Sequence, residues 1–206
     1  MKKSVIFVGG VHGVGKSTIC SHFAMKFRWP VFRQRQALLQ LGKEIGLEWP
    51  EVGTKHFDLI ETVAERLSGA IMRFESPVAL FDCHYAIRSA RAVRLNGRPT
   101  VGPYVHDLDP TLVQRLSNDH RAFFLLLSAD PRVCELRLED RHPEGVEEDH
   151  TLEALRSLAD AEECCLQRLV VRNVGLSRTA RAINNSNLDS FYSDVEYILQ
   201  SWGLIT

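Results

Sequence analysis

The sequence predicts an α/β protein in which helices cover both faces of a parallel β-sheet. Short apolar runs rich in β-branched and aromatic residues, with no polar face, alternate with longer segments of helical spacing. The 206 residues are 45% hydrophobic and 25% charged, which indicates one compact domain, with room for small lobes. No run approaches the roughly 18 apolar residues that a membrane helix needs. The apolar run at residues 5–8 is too short for a signal peptide, so we expect a cytoplasmic protein without a membrane partner.

The first half of the chain contains two predicted strands and three predicted helices. Residues 4–8 read as a buried strand because they lack a polar face, and Trp29-Pro30 ends the helix that follows. The predicted elements are strands at residues 4–8 and 30–32, helices at about 16–27, 36–45 and 54–74, and a loop at 46–53.

The second half contains three more strands. The run at residues 77–81 ends on Asp82, and a loop rich in Gly and Pro follows it. Ser128-Ala-Asp130-Pro131 is typical of a helix start, since Asp130 can accept a backbone hydrogen bond there. The predicted elements are strands at 77–81, 122–127 and 179–183, loops at 83–109 and 140–149, and helices from 110, at 131–138, at about 151–171 and at 188–202.

The net charge of -1 hides an uneven distribution. No acid precedes Glu44, although eight lysines and arginines do, and the acid-free stretch 83–106 carries four arginines. Such runs are typical of solvated faces or of sites for phosphate groups. A nucleic-acid partner is disfavoured, because pI 6.7 is low and no aromatic RNA-binding motif accompanies the basic residues. The five cysteines lack paired CxxC spacing, so we expect reduced thiols and no zinc site.

Residues 10–17 read Gly-Val-His-Gly-Val-Gly-Lys-Ser and match the phosphate-binding loop pattern G-x-x-x-x-G-K-[ST] between a predicted strand and a predicted helix. Such a loop turns successive N–H groups toward phosphate oxygens, and its lysine and hydroxyl reach the transferred phosphate and Mg²⁺. ATP and Mg²⁺ are therefore the predicted cofactors. The predicted nucleotide-binding residues of this loop are Gly10, Gly13, Val14, Gly15, Lys16, Ser17 and Thr18.

Asp82 places a carboxylate at the carboxyl end of an apolar strand. In a P-loop protein this position can hold the metal or polarise an acceptor hydroxyl. We therefore predict Ser17 and Asp82 as metal-binding residues, and Lys16 and Asp82 as catalytic residues. His84 has two open interpretations, a substrate contact or a hydrogen bond within the loop.

Phosphoryl transfer needs cations that neutralise the phosphate oxygens, and arginine does so with a planar fork. The candidates lie in three places, before the second helix, after Asp82, and before the polar loop at 140–149. Arg88 and Arg137 are preferred, since Arg88 follows the acidic strand end closely and Arg137 precedes Arg141 by one helical turn. The candidate arginines are Arg33, Arg35, Arg88, Arg91, Arg137 and Arg141.

These motifs, with the strand 123–128 followed by Ala-Asp-Pro and the Ile-Asn-Asn at 183–185, resemble archaeal-type adenylate kinase and the nucleoside monophosphate kinase group of P-loop proteins. The resemblance implies a P-loop NTPase fold, three layers α/β/α around a five-stranded parallel sheet. It implies a nucleotide-acceptor lobe at about 33–75 and a short lid at about 138–150. It also implies that Asp82 and His84 lie by the acceptor, that Arg137 clamps phosphates, and that Asn184 lies against the donor adenine.

Two functions remain open. The first is a small kinase that transfers the ATP terminal phosphate to a nucleotide or nucleoside. The second is an ATP-driven switch acting on a protein or RNA partner, favoured by the acidic lid region, where residues 130–149 hold three arginines against eight acids. We favour the kinase, and a homodimer is compatible with the sequence.

Overall fold

A computed structural model gives the fold of the chain. It describes residues 2–47, 56–88, 100–101, 104–108, 110–141, 151–173 and 178–206. The helices in these ranges are α1 (Lys16–Phe27), α2 (Gln34–Glu44), α3 (His56–Arg73), α4 (Pro110–Asp119), α5 (Pro131–Arg141), α6 (Leu152–Asn173) and α7 (Leu188–Ser201). The strands are β1 (Ser4–Gly9), β2 (Val31–Arg33), β3 (Val78–Asp82), β4 (Ala86–Arg88), β5 (Thr100–Val101), β6 (Tyr104–His106), β7 (Arg121–Ser128) and β8 (Thr179–Ile183).

Five parallel strands form the central sheet in the order β2-β3-β1-β7-β8. All six residues of β1 are buried, and so are four of the five in β3, which explains why these strands have no polar face. Phe7 on β1 stacks on Phe124 of β7 with ring centroids 5.0 Å apart. The predicted five-stranded parallel sheet with helices on both faces is confirmed.

The predicted loop at 83–109 contains strands that the sequence prediction missed. β4, β6 and β5 form a second, antiparallel sheet, in which Ala86 pairs with His106 and Val101 pairs with Tyr104. These strands are two or three residues long, and β5 and β6 also lie beside glycine and proline, so their hydrophobic periodicity is too short to detect. Helix α6 packs against this small sheet as well as against β7.

Side-chain caps begin two of the helices, and the cap at Asp130 was predicted. Asp130 Oδ1 accepts the Arg132 N–H at 2.9 Å at the start of α5, and Thr151 Oγ1 accepts the Ala154 N–H at 3.3 Å at the start of α6. Helix α5 runs three residues beyond its predicted end at 138, to Arg141. The first residues of the predicted lid at 138–150 are therefore helical, and residues 142–150 lie outside the described residues.

The segment predicted as an acceptor lobe, 33–75, contains α2 and α3, which pack against each other and join through Arg66 and Glu44. Its independence as a lobe stays a prediction, and most of the predicted loop at 46–53 lies outside the described residues. Within the described part of the chain, no helix has both the length and the apolar character needed to cross a membrane.

Candidate active site

The phosphate-binding loop follows β1 at the carboxyl edge of the central sheet and leads into α1. Gly10 has φ +137, and a Cβ there would lie 2.3 Å from the Leu127 backbone oxygen of β7. Any other residue would therefore suffer both strain and a collision with the neighbouring strand. The first glycine of the motif is required by this close approach as well as by the turn.

Lys16 is buried beneath this loop. Its Nζ donates to the backbone oxygens of Gly10 at 2.7 Å and Val11 at 3.0 Å. Burial lowers the pKa of Lys16, while the carboxyl groups of Glu162 and Asp82 act in the opposite direction. The two acids that oppose this lowering both lie outside the motif.

Ser17, Asp82 and Arg33 meet at the end of β3. Ser17 Oγ donates to Asp82 Oδ2 at 2.9 Å, and Arg33 Nε lies 3.9 Å from the same oxygen. The parallel pairing of β2 with β3 places Arg33 directly beside Asp82 in register. The sequence analysis preferred Arg88 and Arg137 to Arg33, because the amino-acid sequence does not reveal which strands pair.

A second arginine lies on the other side of the loop. Arg137 of α5 donates to the backbone oxygen of Gly13 at 3.1 Å and to Asn184 Oδ1 at 3.3 Å. Asn184 is buried and donates through Nδ2 to the backbone oxygen of Val14 at 2.8 Å. Both side chains thus hold the loop backbone. The contact of Asn184 with an adenine stays a prediction.

The sequence prediction missed Glu162, which is fully buried on α6. Its Oε1 lies 2.8 Å from Nδ1 of His84, and its Oε2 accepts the Tyr85 N–H at 2.8 Å. Burial raises the pKa of Glu162 to about 8, against the opposing effects of Lys16 and of hydrogen bonds from the Tyr85 and Gly10 backbone amides. His84 therefore contacts a buried acid of α6, which is a partner outside its own loop, and a substrate contact stays a prediction.

A signal for Glu162 was present in the sequence. The buried residues of α6 recur at spacings of three and four, and Glu162 occupies one of these positions between Leu158 and Cys165. A charged side chain in an apolar stripe is rarely buried without a partner. Its partners, in the turn after β3, are far away in sequence and could not be inferred.

Tyr85 fixes the turn after Asp82 to the sheet. Its hydroxyl donates to the backbone oxygen of Phe7 at 2.8 Å, and Leu125 O lies 3.2 Å from the same hydroxyl. A Cβ on Gly9 would lie 2.3 Å from the Tyr85 ring, so this ring requires glycine at the end of β1. His12 of the phosphate-binding loop lies beside the turn too, with its ring centroid 4.5 Å from that of His84.

The remaining predicted site residues are placed less fully. Val14 is buried, Thr18 is half-buried in α1, and Gly15 precedes that helix with φ +106. Arg88 lies on β4 and Arg141 ends α5, and their side chains, like the whole of Arg91, lie outside the description. Their catalytic roles stay predictions.

The donor set fits a magnesium ion. Ser17 and Asp82 offer a hydroxyl and a carboxylate 2.9 Å apart, and Mg²⁺ prefers such oxygen ligands. Among the described residues, no three His, Cys, Asp or Glu side chains cluster closely enough to hold a metal by themselves. One or two protein oxygens suffice where substrate phosphates complete the coordination.

The cysteines are free, and two of them line the site. Burial raises the pKa of Cys20 and Cys83 well above the ordinary value. Both thiols therefore stay protonated at neutral pH, which makes them poor nucleophiles and poor metal ligands.

Solved structures with this fold include kinases. A protein from Chloroflexus aurantiacus assigned as a kinase aligns over 98% of both chains with a TM-score of 0.55 and 18% identity. Shikimate kinase from Acinetobacter baumannii, solved with shikimate, aligns over 97% of this chain and 94% of its own with a TM-score of 0.56 and 14% identity. YorR from Bacillus subtilis, solved with phosphorylated GDP, aligns over 98% of this chain and 99% of its own with a TM-score of 0.51 and 13% identity.

The chain therefore has the fold of the shikimate kinase-like P-loop kinases. No family model matches the sequence, and no curated protein matches it. The resemblance to adenylate kinase seen in the sequence is thus supported only at the level of the fold. These alignments do not show an adenylate kinase specificity.

Proposed function

We propose that this protein is an ATP-dependent small-molecule kinase. The observation that carries the proposal is the meeting of Lys16, Ser17 and Asp82 at one edge of the sheet, with Arg33 beside the same carboxylate. A phosphate-binding loop next to an acidic strand end supplies the two halves of a phosphoryl-transfer site. The fold shared with shikimate kinase supports the same class of reaction.

The donor nucleotide would bind on residues 10–18. The backbone N–H groups of the loop and of the α1 N-terminus would donate hydrogen bonds to its phosphates. Such groups bind anions without the help of a side chain. Lys16 would exchange its bonds with the Gly10 and Val11 oxygens for bonds with phosphate oxygens. Arg137 would add positive charge at the Gly13 side of the loop.

Ser17 and Asp82 would hold Mg²⁺, which neutralises charge on the phosphates when bound. On the acceptor side, Asp82 would orient the attacking hydroxyl or phosphate of the acceptor. Arg33 would neutralise negative charge on the acceptor, since its Nε lies 3.9 Å from Asp82 Oδ2. It is also the first residue of the predicted acceptor lobe.

We propose a nucleotide or nucleoside as the acceptor. Arg33 and the acid-free segment before Glu44 favour an anionic molecule, which puts a nucleoside monophosphate ahead of an uncharged nucleoside. The complex of shikimate kinase with shikimate adds hydroxy acids as a class to test.

The experiment is a screen for acceptor-stimulated ADP formation with nucleosides, nucleoside monophosphates and small hydroxy acids. We expect ADP formation to rise at least about 10-fold with the correct acceptor, since only the acceptor completes the reaction geometry. The matched control is Lys16→Ala, which should respond to none of them. If no acceptor stimulates the wild type, the kinase proposal is wrong.

One observation favours a second function. Residues 130–149 hold eight acids and three arginines, a charge balance poorly suited to clamping two sets of phosphates. A nucleotide-driven switch would need no second phosphate site. It would hydrolyse ATP at a rate that a protein or RNA partner changes and that small acceptors leave unaltered.

A further inference from the structure

Glu162 joins two segments that are far apart in the sequence. Gly10 begins the phosphate-binding loop, whereas His84 and Tyr85 form the turn after Asp82. The Tyr85 amide donates to this carboxyl group at 2.8 Å, the His84 imidazole lies 2.8 Å from it, and the Gly10 amide faces it. A single side chain of α6 thus connects the segments to which we assign the phosphate donor and the acceptor.

The surrounding packing leaves this carboxyl group little freedom. Glu162 is 0% exposed, and the Tyr85 ring is fixed over Gly9 by its hydroxyl contacts with two strands of the central sheet. His84 lies against His12, which belongs to the phosphate-binding loop. A displacement of Glu162 would therefore be felt on both sides of the site at once.

We propose that Glu162 is a positioning residue, whose carboxyl group holds the first glycine of the phosphate-binding loop against the turn after Asp82 and orients His84 between them. The inference rests on the proposed function only in naming these two segments as donor and acceptor sides. It concerns bonds within the protein and can be tested without a substrate.

Charged and titratable groups face Glu162 from several elements. Lys16 lies on α1, Cys83 follows β3, and Asp107 follows β6. His84 and Tyr85 face Glu162 from the turn, and Cys165 faces it from α6 itself. Burial, which removes water from the charged form, raises the pKa of Glu162 to about 8. Its titration thus falls in a range that is accessible to the folded protein.

The first test is an NMR pH titration of the ¹⁵N-labelled protein from about pH 6 to about pH 10, a range that brackets the raised value. We expect the Gly10 and Tyr85 amide signals to follow one shared transition, because both amides face the same carboxyl group. The transition should vanish in Glu162→Gln and persist in the control variant Glu163→Gln. The side chain of Glu163 is half-exposed and pairs with Arg181.

Different midpoints for the two amides in the wild type would overturn the inference, as would a transition that survives in Glu162→Gln. If Glu162→Gln does not fold, the comparison of the Gly10 and Tyr85 midpoints in the wild type is sufficient to decide.

The second test separates position from charge. Glu162→Asp keeps the carboxyl group but shortens its reach by one methylene. We expect its affinity for ADP to fall by about 10-fold or more, since a small displacement of a binding loop is costly. Glu163→Asp is the control and should bind ADP as the wild type does. Unchanged ADP affinity in Glu162→Asp would overturn the positioning role even if the protein proves to be a kinase. A failure to find any acceptor would instead overturn only the proposed function.

Discussion

The two sides of the candidate site are built differently. The donor side is one continuous stretch, residues 10–18, and the side chains that support it, Arg137 and Asn184, bond to its backbone oxygens. The proposed acceptor side is assembled from separate elements, with Arg33 on β2 and Asp82 on β3, and Glu162 of α6 joins it to the donor side. The difference teaches that a local motif can define phosphate binding, whereas the acceptor geometry depends on the order of strands in the sheet.

Lys16→Ala should have the largest effect, because the lysine belongs to the donor side and is the cation closest to the loop backbone. We expect turnover to fall by about 10³-fold, at the upper end of what loss of one transition-state contact costs. Steady-state ADP formation is the measurement. Lys26→Ala on the same helix, which removes an ion pair with Glu196, is the control and should leave turnover within about 2-fold. A Lys16→Ala enzyme with full activity would contradict the donor-side assignment.

Asp82→Asn tests the point where the two sides meet. We expect a fall in the transfer rate of about 10²-fold, because the neutral amide lacks the negative charge that the carboxylate offers to Arg33 and to a metal. ATP binding should weaken only modestly, since the backbone of the loop holds the phosphates. Single-turnover kinetics measure the transfer rate, and an ATP dissociation constant measures the binding. Asp194→Asn, an exposed position on α7, is the matched control. An unchanged transfer rate would remove Asp82 from the mechanism.

The fold was predictable from the sequence because the three inner strands of its sheet are buried on both faces. β1, β3 and β7 read directly as apolar runs, and the bounds of α1 and β8 agree with the predicted ones. The short strands β4 to β6 were not predictable, since two or three residues among glycines carry no period. Of the site, the motif at residues 10–17 was visible. Arg33 was only one of six candidate arginines and Glu162 was missed, because the partners of these two side chains are set by the order of the strands and by the packing of α6.

A pair of arginine variants separates the two sides most clearly. Arg33→Ala should raise the KM for the acceptor, and Arg137→Ala should raise the KM for ATP. Each change should be about 10-fold to 100-fold, as expected for loss of one charge-assisted contact. Full kinetic matrices in both substrates provide the measurement. The comparison fails if each variant raises both KM values equally.

The pH dependence of stability gives the smallest effect and concerns the acceptor side. The carboxyl pKa of Glu162 rises from the ordinary 4.5 to about 8 on folding. Between these values the folded protein holds a proton that the unfolded chain has released, so unfolding becomes easier as the pH rises. The wild-type stability minus that of Glu162→Gln should fall by up to about 1.4 kcal/mol per pH unit. Urea denaturation from about pH 5 to about pH 8 measures it. A difference that grows with pH would contradict the account.

The fate of the terminal phosphate tests the central claim most directly. ATP labelled on its γ-phosphate is incubated with the wild-type protein and the acceptor that most stimulates ADP formation, and the products are separated. The account predicts that the label moves to the acceptor in step with ADP formation, because Asp82 and Arg33 place the acceptor beside the phosphate-binding loop. Label recovered only as inorganic phosphate would contradict it.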